Sequence, residues 1–184
     1  MSRAVQSVCH AQIDYLVMGM SAETFWGGQS GAAEFAAFMS RLSGGLGVTT
    51  GAAACEAVME TYGARRIGIV TPYQPVGDQQ VVDFFTQIGC EVHAIEGLRC
   101  ASATSIADVT GAEIKAAFRK VDAPDVELLI QAGTNLLAGK ACAELEEELG
   151  KPVIAINTAT VWHAYRTNGI MDKIPGWGSL LEKH

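Results

Sequence analysis

Apolar runs of strand length alternate with amphipathic stretches of helical length along most of this chain. The apolar runs predict six strands: Asp14 to Gly19, Gly47-Val48, Arg66 to Thr71, Cys90 to Ile95, Val126 to Ala132 and Pro152 to Ile156. The amphipathic stretches predict seven helices: Ser2 to Gln12, Gln29 to Leu42, Thr50 to Tyr62, Pro75 to Ile88, Thr110 to Lys120, Leu137 to Leu149 and Thr158 to Asn168. Such alternation predicts an α/β fold built on a flavodoxin-like, doubly wound parallel sheet.

Capping signals mark several of the predicted helix ends. Thr110 is followed three residues later by Glu113, which is the pattern of a capping box. Four glycines stand where helices are predicted to end and need a left-handed residue: Gly63, Gly89, Gly150 and Gly169. No Ser/Gly/Pro-rich linker or charge block interrupts the alternation. Residues 1–184 are therefore interpreted as one domain.

Two segments share one pattern and predict two pseudo-symmetric halves. Leu16 to Ser21 and Leu128 to Asn135 are both apolar runs that end in a small residue followed by polar side chains. A second pattern is shared by Gly47 to Ala52 and Pro152 to Ala159, because in each segment a short strand is followed directly by a helix. Open α/β folds bind ligands at the carboxyl ends of their strands. The pattern therefore predicts two similar half-sites at that edge.

Composition narrows the class of protein. The chain is 49% hydrophobic and 18% charged, with a net charge of −7 and a pI near 5.0. Its Lys and Arg residues are scattered, which argues against binding to nucleic acid. The apolar runs are far shorter than the ~20 residues of a membrane span. Residues Met1 to Ala4 lack the apolar stretch of a secretory signal, so a cytoplasmic protein without a membrane association is expected.

The cysteines and histidines predict neither a metal centre nor disulfides. The five cysteines form no CxxC pair and no Cys/His cluster at metal-ligand spacing. Cys55, Cys90 and Cys142 fall in strand-like or helix-like runs and are interpreted as buried small hydrophobes. Cys100 lies in a loop-like stretch beside Arg99 and is the thiol least readily assigned a structural role.

An ordered set of short segments resembles a known family, although none of them is specific alone. The segments are Met18 to Ser21, Phe25 to Gly28, Thr49-Thr50, Ala64 to Tyr73, Gly133 to Leu136, Glu146, Gly150 to Val153, Asn157 and Trp162. In this order they resemble the arylmalonate decarboxylase and maleate cis-trans isomerase branch of the aspartate/glutamate racemase superfamily. Members are usually longer at the N-terminus by a strand and a loop, so the resemblance implies a chain that is short there.

The resemblance implies a cofactor-independent enzyme acting on a small mono- or dicarboxylate by decarboxylation, isomerisation or racemisation. In such enzymes the substrate sits between the two half-sites, and hydroxyl and amide groups hold an enediolate-like intermediate. The matching donors here are Ser21, Tyr73, Thr134 and Asn135, whereas Met20 replaces a usual hydroxyl residue. The implied site residues are the catalytic set Ser21, Tyr73, Gly133 and Thr134 and the substrate-binding set Gly19, Met20 and Asn135.

The chain departs from the family at the reactive cysteines. Gly19 and Gly133 match the two family cysteine positions, and a glycine cannot act as nucleophile, acid or base. The proton donor is therefore expected to be a residue from elsewhere or bulk water. Gly133→Cys is predicted to restore decarboxylase-type chemistry. Adding Gly19→Cys is predicted to give a two-sided site that removes a proton from one face of the substrate and returns it to the other, as a racemase does. A positive φ at Gly133 is the foreseen obstacle.

Each singled-out residue also has a simpler structural interpretation. Ser21 and Thr134 are candidate helix N-caps, and Tyr73 is a candidate strand-end residue. Trp26 and Trp162 are interpreted as packing residues. Two alternative functions remain open: a non-catalytic carboxylate-binding member, and a flavodoxin-like nucleotide or flavin binder, although no strand precedes a G-x-G-x-x-G or P-loop sequence. A small carboxylate is the expected partner, and a homo-oligomer is possible.

Overall fold

A computed structural model describes residues 2–184. The strands are β1 Tyr15–Val17, β2 Gly47–Thr49, β3 Arg66–Thr71, β4 Glu91–Gly97, β5 Leu128–Gln131 and β6 Val153–Ala155. The helices are α1 Ser2–Cys9, α2 Ala22–Phe25, α3 Gly28–Leu42, α4 Gly51–Tyr62, α5 Pro75–Gln87, α6 Gly111–Val121, α7 Gly139–Leu149, α8 Ile156–Thr167 and α9 Ser179–Lys183, with a 3₁₀ turn at Ser105–Asp108. All six predicted strands and all seven predicted helices are present, which confirms the α/β alternation.

The strands are parallel but divide between two sheets. The larger sheet has the order β4-β3-β5-β6, and the smaller one contains only β1 and β2. Helices cover both faces of the larger sheet, so β3, β5 and β6 are buried almost throughout. The predicted parallel pairing and double winding are therefore confirmed. The strands form two sheets, however, since β1 and β2 are not hydrogen-bonded to the other four strands.

The pairing register makes the two halves equivalent around the site. Tyr15–Val17 of β1 pair with Gly47–Thr49 of β2, three residues against three. Leu129–Gln131 of β5 pair with Val153–Ala155 of β6 in the same way. In each half a glycine stands two residues after the last paired position of the first strand, Gly19 in one half and Gly133 in the other. Gly19 and Gly133 are thus structural counterparts.

The halves differ in how much surrounds these strands. On its other edge β5 pairs with β3, whereas β1 has no second partner strand among the described residues. As a result Val17 at the end of β1 is 45% exposed, but its counterpart Gln131 is 0% exposed. The symmetry is therefore confined to the β1-β2 and β5-β6 pairs and to α4 and α8, which follow them and pack against each other.

The core comprises three groups of buried apolar side chains. The largest lies between the sheets and α4, α5 and α8 and includes an edge-on contact between the rings of Phe25 and Phe84. A second group packs α6 and α7 against the far face of the larger sheet. A smaller one joins α1 and α3 to β1 through Leu16 and Met39. Trp162 is buried in the first group, as its packing interpretation requires, but Trp26 is 54% exposed, so the same interpretation is wrong for Trp26.

The helix boundaries follow the capping signals with a few corrections. Both hydrogen bonds of the Thr110/Glu113 capping box form, and Gly63 and Gly150 are left-handed C-caps. The eighth helix begins at Ile156, two residues before its predicted start, and α7 begins at Gly139, two residues after. The short elements α2, α9 and the 3₁₀ turn were not predicted, because four or five residues are too few to show a helical period. No helix in residues 2–184 is long and apolar enough to cross a membrane.

Candidate active site between the two halves

A cavity of about 420 Å³ lies at the carboxyl ends of β1, β3 and β5. All seven residues implied by the family resemblance line it: Gly19, Met20, Ser21, Tyr73, Gly133, Thr134 and Asn135. The remaining wall comes from Ala22, Glu23, Pro72, Gln74, Cys100, Ser102, Ala103 and Ile106. The two predicted half-sites therefore face one common space.

Three hydroxyl groups converge in this cavity from three different parts of the chain. The Ser21 Oγ lies 2.7 Å from the Tyr73 hydroxyl and 3.5 Å from the Thr134 Oγ1. The backbone N–H of Thr134 also donates to the Ser21 Oγ, at 3.0 Å. Ser21 follows β1, Tyr73 follows β3 and Thr134 follows β5, so the fold alone brings them together. We refer to Ser21, Tyr73 and Thr134 as the hydroxyl cluster.

The hydrogen-bond arrangement leaves a donor free for a ligand. Ser21 is buried, with 3% of its surface exposed, and its oxygen already accepts the Thr134 N–H. That oxygen has one proton to donate and one remaining lone pair. When Tyr73 donates to Ser21, the Ser21 proton points to Thr134, and the Thr134 hydroxyl proton is then free to donate into the cavity. The cluster is therefore suited to hold an anion through neutral O–H groups.

Tyr73 keeps its proton over a wide pH range. Burial raises the pKa of Tyr73 to about 12, an effect partly offset by its hydrogen bond with Ser21 and reinforced by the negative charge of Glu23. A tyrosine with a raised pKa is neutral, and hence a hydrogen-bond donor, throughout the physiological range. Tyr73 is thus an O–H donor in this site and not a phenolate base.

Polar contacts behind the cavity wall fix the turn that carries Tyr73. The buried carboxylate of Asp78 accepts from the Thr71 hydroxyl and pairs with Arg99. The Tyr73 N–H donates to the Thr71 Oγ1 at 3.1 Å, and an Arg99 N–H donates to the Tyr73 carbonyl at 2.6 Å. Sequence reasoning missed both Asp78 and Arg99. The two residues are far apart in the chain, so no local sequence pattern connects them. The one available signal was that Asp78 is a carboxylate on the otherwise apolar buried face of α5.

Asn135 and Gln74 anchor the loop that closes one side of the cavity. The Asn135 amide donates to the Ala103 carbonyl at 3.1 Å, and the Gln74 amide donates to the Cys100 carbonyl at 3.1 Å. One of the two Asn135 N–H groups is therefore committed to the protein itself. Met20 lies at the cavity wall with its other side on the α1/α3 core group.

A sequence model of the family described as arylmalonate decarboxylase matches residues 7–181. The chain belongs to the arylmalonate decarboxylase family. Maleate isomerase of Nocardia farcinica is 27% identical over 121 residues, which are 65% of this chain and 48% of that protein. Maleate isomerase of Pseudomonas putida is 27% identical over 135 residues, 73% of this chain and 54% of the relative. The chain thus spans about half the length of the curated relatives it matches.

Solved structures of this family have the same fold. The maleate cis-trans isomerase of Nocardia farcinica bound to TRIS matches with a TM-score of 0.93 and 21% identity, covering 99% of this chain and 76% of that one. A liganded double mutant of arylmalonate decarboxylase matches with a TM-score of 0.93 and 22% identity, covering 100% and 79%. The prediction of a flavodoxin-like fold in this branch of the superfamily is confirmed.

Gly19 and Gly133 have opposite surroundings. A Cβ built on Gly19 meets no atom within 4 Å. A Cβ built on Gly133 falls 2.5 Å from Cγ of the Pro72 ring and 3.1 Å from the Gln131 amide nitrogen. Gly133 is not among the glycines with positive φ, so the obstacle foreseen there was wrong. What excludes a side chain at Gly133 is the fixed ring of Pro72 against it.

Ser21 stands at the N-cap position of α2, as expected, but its side chain does not cap the helix and binds within the hydroxyl cluster instead. The N-cap interpretation of Thr134 is wrong. Thr134 opens no helix, since α7 begins five residues later at Gly139. Neither hydroxyl is therefore committed to a helix N-terminus.

Cys100 is the thiol that borders the cavity. Cys55 and Cys142 are fully buried, and burial strongly raises the pKa of both thiols. Burial also raises the pKa of the half-buried Cys100 thiol, which therefore keeps its proton near neutral pH. No group of three or more His, Cys, Asp or Glu side chains is placed to hold a metal ion within residues 2–184.

Proposed function

We propose that this chain is a cofactor-independent enzyme that acts on a small carboxylate through an enediolate-like intermediate. The convergence of Ser21, Tyr73 and Thr134 on one cavity supports this proposal more than any other observation. Gly19, Met20, Gly133 and Asn135 would form the walls against which the substrate lies. Family membership favours this function over nucleotide or flavin binding.

The hydroxyl cluster would act where negative charge develops. When a carboxylate substrate loses CO₂ or a proton from its α-carbon, the electron pair left behind moves onto the remaining carboxylate oxygens. Donors already aimed at those oxygens stabilise the transition state without reorganising, and removal of one such donor typically costs about 10²- to 10³-fold in rate. Ser21 is fixed by the Thr134 N–H, which gives the cluster the rigidity that this role requires.

Decarboxylation is the reaction that these residues support best. A solved maleate cis-trans isomerase of Nocardia farcinica carries a covalently bound succinylcysteine intermediate. An adduct of that kind needs a nucleophile, and Gly19 and Gly133, which the family resemblance matches to the reactive cysteines, have none. Decarboxylation of a malonate breaks a C–C bond, releases CO₂ and leaves an enediolate that needs only a proton. Oxyanion donors and a proton source are sufficient for it.

Two groups of the cavity wall are candidates for that proton source. Cys100 and Tyr73 both keep their protons at neutral pH, because burial raises the pKa of each. A thiol is the stronger acid of the two. We assign Cys100 as the first candidate, with water that enters through the open side of the cavity as the alternative.

A second candidate function is supported by the same glycines. A protein that keeps the hydroxyl cluster but lacks both cysteines retains the means to bind a carboxylate and loses the family's usual means of moving a proton. Such a chain would be a non-catalytic carboxylate-binding member of the family. Binding and turnover must therefore be measured separately.

The test combines a ligand screen with turnover assays. Arylmalonates, alkylmalonates, maleate and amino-acid dicarboxylates are screened by thermal shift, and CO₂ release and product chirality are followed for each compound that binds. Ser21→Ala and Tyr73→Phe should reduce decarboxylation of the best malonate by about 10²-fold or more. Tyr165→Phe is the matched control, because Tyr165 lies outside the cavity.

The outcomes separate the two candidates. CO₂ release that depends on Ser21 and Tyr73 supports the enzyme, and its loss in Cys100→Ser but not in Cys9→Ser assigns the proton donor. Ligand binding that depends on Ser21 without any turnover supports the carboxylate-binding protein. Turnover that is equal in wild type and Ser21→Ala contradicts the proposal.

A further inference from the structure

Glu23 is the one charged side chain among the residues that line the cavity. It lies in the first turn of α2, two residues after Ser21, and its side chain is exposed at the mouth. Its negative charge reaches the interior, since it raises the pKa of Tyr73. A site proposed to bind carboxylates thus carries a negative charge of its own at the entrance.

No positive charge balances Glu23 within the described wall of the cavity. The bound carboxylate would be held by the hydroxyl cluster, whose groups are neutral and whose free donor is the Thr134 hydroxyl. Arg99 adjoins the wall residue Cys100 in the chain, but its guanidinium is paired with the buried Asp78 carboxylate and the Tyr73 carbonyl. The electrostatic environment at the mouth is therefore set by Glu23.

We infer that Glu23 determines substrate specificity by disfavouring a distal carboxylate and favouring a distal ammonium group, an inference that rests on the proposed function of the hydroxyl cluster. The distal group is the one that projects from the reacting end of the substrate toward the mouth. The two carboxylates of a malonate are a different case, because both are attached to the reacting carbon. Substrates with a separated second carboxylate, such as maleate, are disfavoured at this site.

The expected effect is modest because Glu23 is exposed to water. Interactions between exposed charges change an equilibrium constant by roughly two- to fivefold, and salt screens them over about 10 Å at 0.1 M ionic strength. Opposite signs of the effect on oppositely charged ligands are more diagnostic than its size. Changes in folding or cavity shape move the affinity of all ligands in the same direction.

The test uses three ligands that share one carboxylate and a two-carbon chain and differ only in the distal group. Propionate ends in hydrogen, succinate in a second carboxylate and β-alanine in an ammonium group. Dissociation constants are measured by calorimetry at low salt for wild type and Glu23→Gln. Glu34→Gln, at an exposed position of α3, is the matched control for loss of one negative charge. Ser21→Ala reports whether binding uses the hydroxyl cluster.

Relative to propionate, which carries only the shared carboxylate, Glu23→Gln should strengthen succinate binding and weaken β-alanine binding, each by roughly two- to fivefold. These shifts should shrink in 0.5 M NaCl, and Glu34→Gln should show neither. Equal shifts for all three ligands, or none, with binding still lost in Ser21→Ala, would overturn the role of Glu23 and leave the proposed function standing. Binding that Ser21→Ala does not weaken would overturn both.

Discussion

The two half-sites, the first around Gly19 and the second around Gly133, have the same backbone arrangement. They differ in the room that each leaves for a side chain at the glycine. Both glycines stand two residues after the last paired position of equivalent strands, β1 and β5. Gly133 is buried, with β3 alongside and Pro72 against it, whereas Gly19 is exposed and has no neighbour in the space of a side chain. Equivalent sequence positions are therefore not equivalent sites for chemistry. The surroundings decide which of them can carry a reactive group.

The largest expected effect of this difference is on activity. Gly19→Cys should place a thiol in open space facing the hydroxyl cluster, and a positioned general acid contributes about 10²- to 10⁴-fold. We expect decarboxylation of an activated malonate to rise by at least about 10²-fold. CO₂ release is the measurement, with Gly19→Ser as the matched control. A folded Gly19→Cys protein no faster than Gly19→Ser would contradict the assignment of this half-site.

The next largest effect concerns stability. Gly133→Ala forces a Cβ against the Pro72 ring, and overpacking of this kind costs about 1–3 kcal/mol, whereas Gly19→Ala should cost less than about 1 kcal/mol. Urea unfolding of the two variants measures the contrast. Adding Pro72→Ala removes the ring, so it should recover part of the loss in the Gly133→Ala background and none in the Gly19→Ala background. Equal free energies of unfolding for the two single variants would refute the crowding.

A smaller effect is expected behind the second half-site. Arg99→Ala removes the partner of the buried Asp78 carboxylate and a donor to the Tyr73 carbonyl. Since Arg99 is partly exposed, we expect a loss of about 1 kcal/mol in stability and weaker ligand binding through a displaced Tyr73. Lys120→Ala, which breaks the exposed pair with Glu96, is the control. The two variants should differ in carboxylate affinity, and identical affinities would show that Arg99 does not position the site.

The smallest expected change is with pH. Because the pKa of Tyr73 is raised to about 12, its O–H donor persists well above the usual tyrosine range near 10. Propionate affinity should therefore be flat from pH 7 to about pH 10. The pKa of Tyr73 is higher in the folded protein than in the unfolded chain. The contribution of Tyr73 to the free energy of unfolding is therefore complete below about pH 10 and is lost as the pH rises toward 12. An affinity that falls with a midpoint near pH 9–10, and does so only when Tyr73 is present, would contradict this assignment.

The meeting of the three hydroxyls was predictable because local pattern and topology act together. Ser21, Tyr73 and Thr134 each follow an apolar run, and parallel strands bring their carboxyl ends to one edge. The hydroxyl cluster was therefore predictable although its members are up to 113 residues apart. The pairs β1-β2 and β5-β6 have equivalent registers, which accounts for the two repeated sequence patterns in the chain.

Features that depend on packing were not predictable. The contact of Pro72 with Gly133 joins residues 61 apart through side-chain volume, which leaves no periodic signal. The Asp78–Arg99 pair likewise depends on how β4 runs beside β3. The split into two sheets, with Val17 exposed on β1, could not be read from an apolar run that resembles that of β5.

Alkylation of a thiol placed in the first half-site tests most directly whether the two half-sites enclose one carboxylate-binding cavity. In Gly19→Cys, modification at position 19 by iodoacetamide is followed by mass spectrometry with and without saturating propionate. Propionate should slow this reaction, and Thr134→Val, a change in the opposite half-site, should abolish the protection. A rate at position 19 that is insensitive to propionate, while propionate binding is still lost in Ser21→Ala, would contradict one shared cavity.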